Sequence, residues 1–293
     1  MKRIIVTAGI SILAVSFFSN AFPQDVDLDT VVVTAARIGQ ESGSLSRSVD
    51  VLHASDIEQS GAQDVAQALE GVTGLSVSDY GGWGASKTLR MRGATAAQTL
   101  VMIDGRPVNS PRDGEIDMST VPLDSVDRIE ILHGPGSSLY GSNAMGGVVN
   151  ILTKNPPREG FKTEMTSGFG TFRTYLDRVN HGGRIGRFAY HMSGTYESSV
   201  GFRDNAKVNQ KDCNAKLQYD LTQGNTITVN SGFFRSLLGA AGTLSAPDTD
   251  DKQRTYKNFV DAWWDFRPDN MFGVKVKIYN MYDRLEFMEN SAG

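Results

Sequence analysis

A single cysteine, Cys213, in 293 residues excludes an intramolecular disulfide and any multi-cysteine metal site. Histidine is scarce too: His53, His133, His181 and His191 show no metal-ligand spacing. Basic clusters are missing. With 29 Lys and Arg against 33 Asp and Glu, the charge gives no reason to expect nucleic acid as a partner. No apolar run reaches the ~20 residues that a membrane-spanning helix needs; Ile4 to Phe18 is shorter. The glycines of GPGSSLYG, Gly134 to Gly141, have neither the lysine-serine pair of a phosphate loop nor dinucleotide spacing. No Ser-His-Asp set can be assembled either, so no enzyme is expected.

What is present begins with an address. Lys2 and Arg3 precede the apolar run, and Ser19-Asn20-Ala21 supplies small residues for cleavage, so residues 1–21 read as a signal peptide. An exported chain without a spanning helix has only the barrel route into a membrane. Residues 22–46 are polar and flexible apart from DTVVVTA, Asp29 to Ala35, an extended stretch in search of a sheet edge. Residues 47–154 then alternate strand and helix signals. Val49, Val51 and His53 form a strand; Ser55 with Glu58 opens a helix; Asp64 caps a second, with Val65, Ala68, Leu69 and Val72 on one face. A glycine-rich loop, YGGWGASK, leads into Thr88 to Arg92, and TLVMID, Thr99 to Asp104, is a further strand followed by the polar segment SPRDGEIDMST. The domain closes on RIEILHGPGSSLYGSNAMGGVVNILTK, Arg128 to Lys154, two strands around five glycines.

After Asn155-Pro156-Pro157 the period changes to two. Ala215, Leu217, Tyr219 and Leu221 interleave with Lys216, Gln218 and Asp220, a pattern that sets one face in an apolar medium and one in a polar medium. Seven such segments are expected, near 161–169, 172–180, 187–198, 212–222, 225–236, 254–267 and 271–283. HGGRIG, QGN and RPDN read as tight connections, 199–211 and 237–253 as long ones, which is the asymmetry of an outer-membrane barrel. Tyr219, Trp263, Trp264, Phe266 and Phe272 gather near the periplasmic ends as an aromatic girdle. Seven strands leave two open edges, which lipid does not tolerate, so the expectation is an N-terminal fragment of a longer protein.

The block from Arg128 to Lys154 resembles the last sequence block of the plug domain in TonB-dependent outer-membrane receptors, and DTVVVTA resembles the TonB box of the cobalamin-receptor type. The resemblance continues through DVAQALEGVTGLSV and TLVMIDGRPVN. It implies an α+β plug domain, 47–154, followed by the first strands of a transmembrane antiparallel β-barrel, 155–293, left incomplete. It implies a Gram-negative outer-membrane receptor for TonB-energised uptake of cobalamin or a ferric siderophore. Its partners would be TonB with the inner-membrane energising complex, the ligand, and outer-membrane lipid. Asp29, Thr30, Val31, Val32, Val33, Thr34 and Ala35 would pair with TonB by strand addition. Tyr80, Trp83, Arg112 and Asp113 are ligand-contact candidates, with Glu115 beside them. Arg90 and Arg92 would anchor plug to barrel, buried against inward carboxylates. No cofactor is required, and Asp248, Asp250 and Asp251 could hold calcium in an outer loop. His133 stands where relatives often carry arginine or lysine, replacing a fixed charge with one that titrates. Competing expectations are a surface receptor that signals or adheres without transport, and a truncated, non-functional product.

Overall fold

The computed structural model describes residues 49–242, 245–268 and 272–289, together with the backbone at Arg3–Ile4, Ala14–Ser19, Val32–Val33 and Gln40–Glu41. The chain divides into two units. One comprises Phe22–Tyr80 with Ser86–Lys154, the other Met1–Ala21, Gly81–Ala85 and Asn155–Gly293.

The first unit is built on a five-stranded sheet. Its strands are β1 (Val49–His53), β4 (Thr99–Ile103), β5 (Arg106–Pro107), β6 (Val126–His133) and β7 (Gly147–Thr153), in the order β1-β6-β7-β4-β5. All neighbours are antiparallel except β7 and β4, which run parallel with Val149 beside Val101. A hairpin of β2 (Leu75–Asp79) and β3 (Lys87–Met91) stands beside it. Alternation in β6 sends Ile129 and Ile131 to one side, where they pack with Ile57, Leu69 and Met118. Leu132 goes to the other side, with Leu100, Met102 and Val148. Both faces are therefore covered, which is why the strands read as near-continuous apolar runs.

Helix α1 (Ala54–Ser60) starts earlier than Ser55 and Glu58 suggest. His53 is the N-cap, and the Asp56 carboxylate accepts its N–H at 2.9 Å. Helix α2 (Val65–Leu69) is capped by Asp64, which accepts the Gln67 N–H at 2.9 Å. The paired glycines of the closing block have a steric function. Gly147 has φ +153°, and a Cβ there would strike Met91 Sδ and the Leu132 carbonyl oxygen.

The second unit is an antiparallel sheet whose seven long strands follow sequence order: β8 (Phe161–Gly170), β9 (Thr174–Ile185), β10 (Phe188–Ser199), β11 (Val208–Thr222), β12 (Asn225–Gly239), β13 (Lys252–Phe266) and β14 (Phe272–Met288). The connections on the side where β8 begins are 186–187, 223–224 and 267–271; on the other side they are 171–173, 200–207 and 240–251. HGGRIG is thus not a connection, since His181–Ile185 continue β9. Gly182 and Gly183 are small because Pro157 Cδ lies 2.9 Å from where a Cβ would stand on the first, and the Phe161 ring against the second.

Register divides this sheet into two unlike faces. Thr228, Asn230, Ser236, Thr255, Asp261 and Lys216 are buried on one face, while Phe188, Met192, Tyr219, Ile227, Val229, Phe233, Val260, Trp264 and Ile278 are exposed on the other. Burying polar groups and exposing large apolar ones inverts a soluble sheet and matches a membrane wall. Trp264 stacks on Phe266 at 5.5 Å on the apolar face, in a rung with Tyr219 and Phe188. Trp263 is a correction to the expected girdle. Next-door residues on a strand face opposite ways, and its ring lies under Lys277 Nζ at 5.1 Å on the polar face. Residues 1–21 were set apart from the fold by the sequence reading. With the leader attached, Ala14–Ser19 lies antiparallel to Lys277–Phe272, because an open edge offers unpaired backbone groups to any extended apolar segment.

Candidate functional site

The ligand-contact candidates sit on two loops, and each loop is fixed by its own chemistry. The first follows β2. The Tyr80 N–H donates to the Ser86 carbonyl at 3.1 Å, which closes the loop at its base and leaves the Tyr80 ring 64% exposed. Gly81–Ala85 packs with the wall unit. A Cβ on Gly84, where φ is +74°, would lie 2.9 Å from Val208 Cγ1 and 3.0 Å from Leu238 Cδ2, and one on Gly82 would lie 2.6 Å from the Phe202 ring. Glycine at these two places lets the backbone lie directly on wall side chains. Trp83 between them is half-buried.

The second loop, 110–117, hangs from Asn109. Its Oδ1 accepts the Val101 N–H at 2.8 Å, and its Nδ2 donates to the carbonyls of Thr99 at 3.0 Å and Gly114 at 2.8 Å. The loop is thereby hydrogen-bonded to β4, in the middle of the sheet. On its exposed side Arg112 pairs with Asp113 at 2.8 Å. Burial works to raise the Asp113 carboxyl, but hydrogen bonds from Arg112, the Glu115 backbone and Ser110 outweigh it and hold the carboxyl below the usual carboxylate range. Glu115 is exposed beside them.

Sequence reasoning missed Asn109, and it missed Lys87. The Lys87 side chain is buried, 2.7 Å from Asp64 Oδ2 and 3.2 Å from Asp79 Oδ2, and so ties the α2 cap to the β2–β3 hairpin. Burial alone would lower its pKa; the two carboxylates overcome this and raise it above 10.5. A group raised in this way stabilises the fold below its ordinary pKa and loses that contribution as pH climbs through the raised value. We therefore expect Lys87→Met to cost about 1–3 kcal/mol at neutral pH, the partial exposure of both carboxylates keeping the value modest. Thermal melts should show a constant deficit from about pH 6 to 9 that narrows above about pH 10.5. A deficit that widened with alkalinity would contradict the assignment.

Arg90 and Arg92 are the residues expected to anchor plug to barrel. Both are exposed, and among the described residues neither has an ion-pair partner. Arg92 leaves the strand with φ +50°, and its N–H donates to the Gly74 carbonyl at 2.8 Å, so the two arginines do not share the regular side of one strand. The buried charges of this unit are instead Lys87, Arg106 and Glu130. His133 is buried, with Nε2 2.8 Å from Asp50 Oδ2, and joins β6 to the first strand, β1. Asp248, Asp250 and Asp251 lie within 4.8 Å of one another. Asp248 Oδ1 already accepts the N–H groups of Asp251 at 2.7 Å and Asp250 at 3.0 Å, hydrogen bonds that hold its carboxyl below the usual range. Of the residues expected to form a TonB box, Val32–Val33 pairs antiparallel with Glu41–Gln40, while Asp29, Thr30, Val31, Thr34 and Ala35 lie outside the described residues.

A mixed α+β module followed by an unclosed antiparallel sheet with a lipid-type face is the architecture of a plug domain and the first strands of an outer-membrane barrel. Residues 42–148 match the family model TonB-dependent Receptor Plug Domain. The vitamin B12 transporter BtuB of Vibrio cholerae serotype O1 is 39% identical over 154 residues, which is 52% of this chain and 24% of that protein. The vitamin B12 transporter BtuB of Vibrio vulnificus is 30% identical over 242 residues, 80% of this chain and 39% of that protein. The chain thus spans between a quarter and two-fifths of the length of these relatives. In fold it is similar to the pyoverdine outer-membrane receptor FpvA of Pseudomonas aeruginosa, with TM-score 0.73 and 18% identity over 85% of this chain and 39% of that one. The chain thus carries the plug domain of the TonB-dependent receptors of the Gram-negative outer membrane, and its sequence is similar to the cobalamin-receptor type.

Proposed function

We propose that this protein imports a scarce ligand too large for porins, cobalamin in the first place, by passage energised through TonB. The observation that carries this reading is the continuous path from ligand loop to coupling segment. Loop 110–117 is held by Asn109 to β4, which pairs with β7, then β6, then β1, and β1 follows the tail that contains Asp29–Ala35. Ligand on the loops shifts the equilibrium toward a state in which the box is free in the periplasm, and it does so only by binding that state better. TonB then adds a strand to the box, and force arriving at β1 meets an edge strand whose one ladder partner among the described strands is β6. Coupling of this kind is reciprocal, so TonB on the box alters ligand affinity at the loops by the same factor.

Cobalamin is preferred over a ferric siderophore because the curated relatives quoted above are named vitamin B12 transporters, whereas the siderophore receptors among the solved structures are similar in fold alone. Cells that lack their own cobalamin receptor and express this protein should accumulate labelled cyanocobalamin, and accumulation should stop when the proton gradient is collapsed. Accumulation of a ferric siderophore with no cobalamin would move the ligand assignment. Surface binding with no energised accumulation of either ligand would instead favour a receptor that signals or adheres.

A further inference from the structure

On the apolar face of the wall, one cross-strand rung departs from the pattern. Tyr196 of β10 lies opposite Lys211 of β11, Lys211 opposite Arg235 of β12, Arg235 opposite Tyr256 of β13, and Tyr256 opposite Arg284 of β14. The rung therefore crosses five strands and carries three cations and two tyrosines, and the adjoining rung adds Arg254 beside Glu286. Lys211 and Arg235 are exposed, and among the described residues neither has a carboxylate within ion-pair distance. Their contacts are with rings: Lys211 Nζ stands 5.1 Å from the Tyr196 centroid and Arg235 Cζ 5.3 Å from that of Tyr256. The carboxylates on this side are already engaged. Glu286 pairs with Arg284 and with Arg254 at 3.7 Å, and Asp177 accepts from Ser167 and Tyr175.

Two like charges directly opposite each other in a sheet repel, and here nothing in the described chain offsets them. Their height on the wall indicates what does. Tyr256 is eight residues from Trp264 along β13, about 26 Å of strand, or about 20 Å of vertical rise at barrel tilt. Between these levels the outward positions include Leu217, Val229, Ala262, Ile278, Met192 and Val260. The aromatic rung at Trp264 and the cationic rung at Tyr256 thus bracket one apolar band, and the cations lie at its rim on the side of loops 200–207 and 240–251. A cation at that level meets lipid headgroups.

We propose that Lys211, Arg235 and Arg284, with Tyr196 and Tyr256, form a site for a phosphorylated lipid headgroup in the outer leaflet. Lys211 leans toward Tyr196 and Arg235 toward Tyr256, away from each other as their like charges require. Strands are about 4.8 Å apart, so one phosphate between them would draw both side chains inward, and Arg284, two strands further on and paired with Glu286, would reach a second about 10 Å away. The headgroup chemistry that fits is a glycolipid bearing two phosphates, its sugars lying on the tyrosine rings. The assignment rests on the wall being embedded in a membrane.

The test uses the protein extracted from outer membranes in mild detergent, with native mass spectrometry reading added bisphosphorylated lipid A, its dephosphorylated form, and inorganic phosphate. Bisphosphorylated lipid A should bind and the dephosphorylated form should not. The triple variant K211Q/R235Q/R284Q should bind at least tenfold more weakly, and about 100-fold if the three contributions add. K211R/R235K keeps both charges and should retain binding, which separates loss of charge from misfolding. K162Q/K275Q removes two cations from the opposite face and should leave binding unchanged. Equal binding by the triple variant, an equal loss in K162Q/K275Q, or displacement of lipid A by millimolar inorganic phosphate would each overturn the proposal. A protein that keeps its detergent and lipid belt without selecting for phosphate rejects this site while leaving the barrel reading in place.

Discussion

Gly147→Val should abolish ligand binding while the wall strands still reach the membrane. The residue sits at the mouth of β7 with φ +153°, where a side chain meets Met91 Sδ on one side and the Leu132 carbonyl on the other. Neither neighbour can retreat. Met91 is wholly buried in the helix-side core, and the Leu132 carbonyl belongs to β6, whose ladder with β7 continues to His133 opposite Gly147. Backbone strain of about 1–3 kcal/mol and overpacking of a similar size bring the total to roughly 2–6 kcal/mol. That is a large share of the ~5–15 kcal/mol by which a domain is normally stable. Gly147→Ala should cost less, with the same sign. Gly93→Ala is the control: φ is +77° there too, but nothing stands within 4 Å of the added Cβ, so only about 1 kcal/mol is expected. Limited proteolysis of the three variants in isolated outer membranes reads the difference. If Gly147→Val resisted protease as well as Gly93→Ala, the close approach at β7 would have no structural weight.

The parts of this protein that could be read from the chain are those written in a local period. Alternation located all seven wall strands because each face needs only its own every-second residue. The same rule, applied strictly, would have turned Trp263 away from the girdle, since it is next to Trp264. The strand ends were harder. His181 to Gly186 carries the glycines of a turn, yet those glycines serve Phe161 of the preceding strand, β8, and Pro157 in the segment before it. Long-range polar contacts left no local trace. Lys87 finds Asp64 across 23 residues, and Asp104 accepts from both the N–H and the hydroxyl of Thr153 across 49. Asn109 is among the most constraining residues of loop 110–117, and it is an unremarkable letter in GRPVNS. Thr88 to Arg92 reads as one strand because nothing in the letters announces the left-handed backbone at Arg92, where the strand has already ended.

In the proposed mechanism one segment is indispensable to movement and irrelevant to capture. Asp29–Ala35 precedes β1, whereas the candidate contact loops hang from β4 and from wall residues. Removing residues 29–35 should therefore leave labelled cobalamin binding at the cell surface unchanged. Energised accumulation should fall to the level of cells that lack the protein, because TonB has no strand to join. The decisive measurement is binding and uptake by this deletion, made side by side in the same cells. Retained binding with no uptake is the predicted result; uptake that continues, or binding that disappears with it, would contradict the coupling of plug to periplasm on which the account depends.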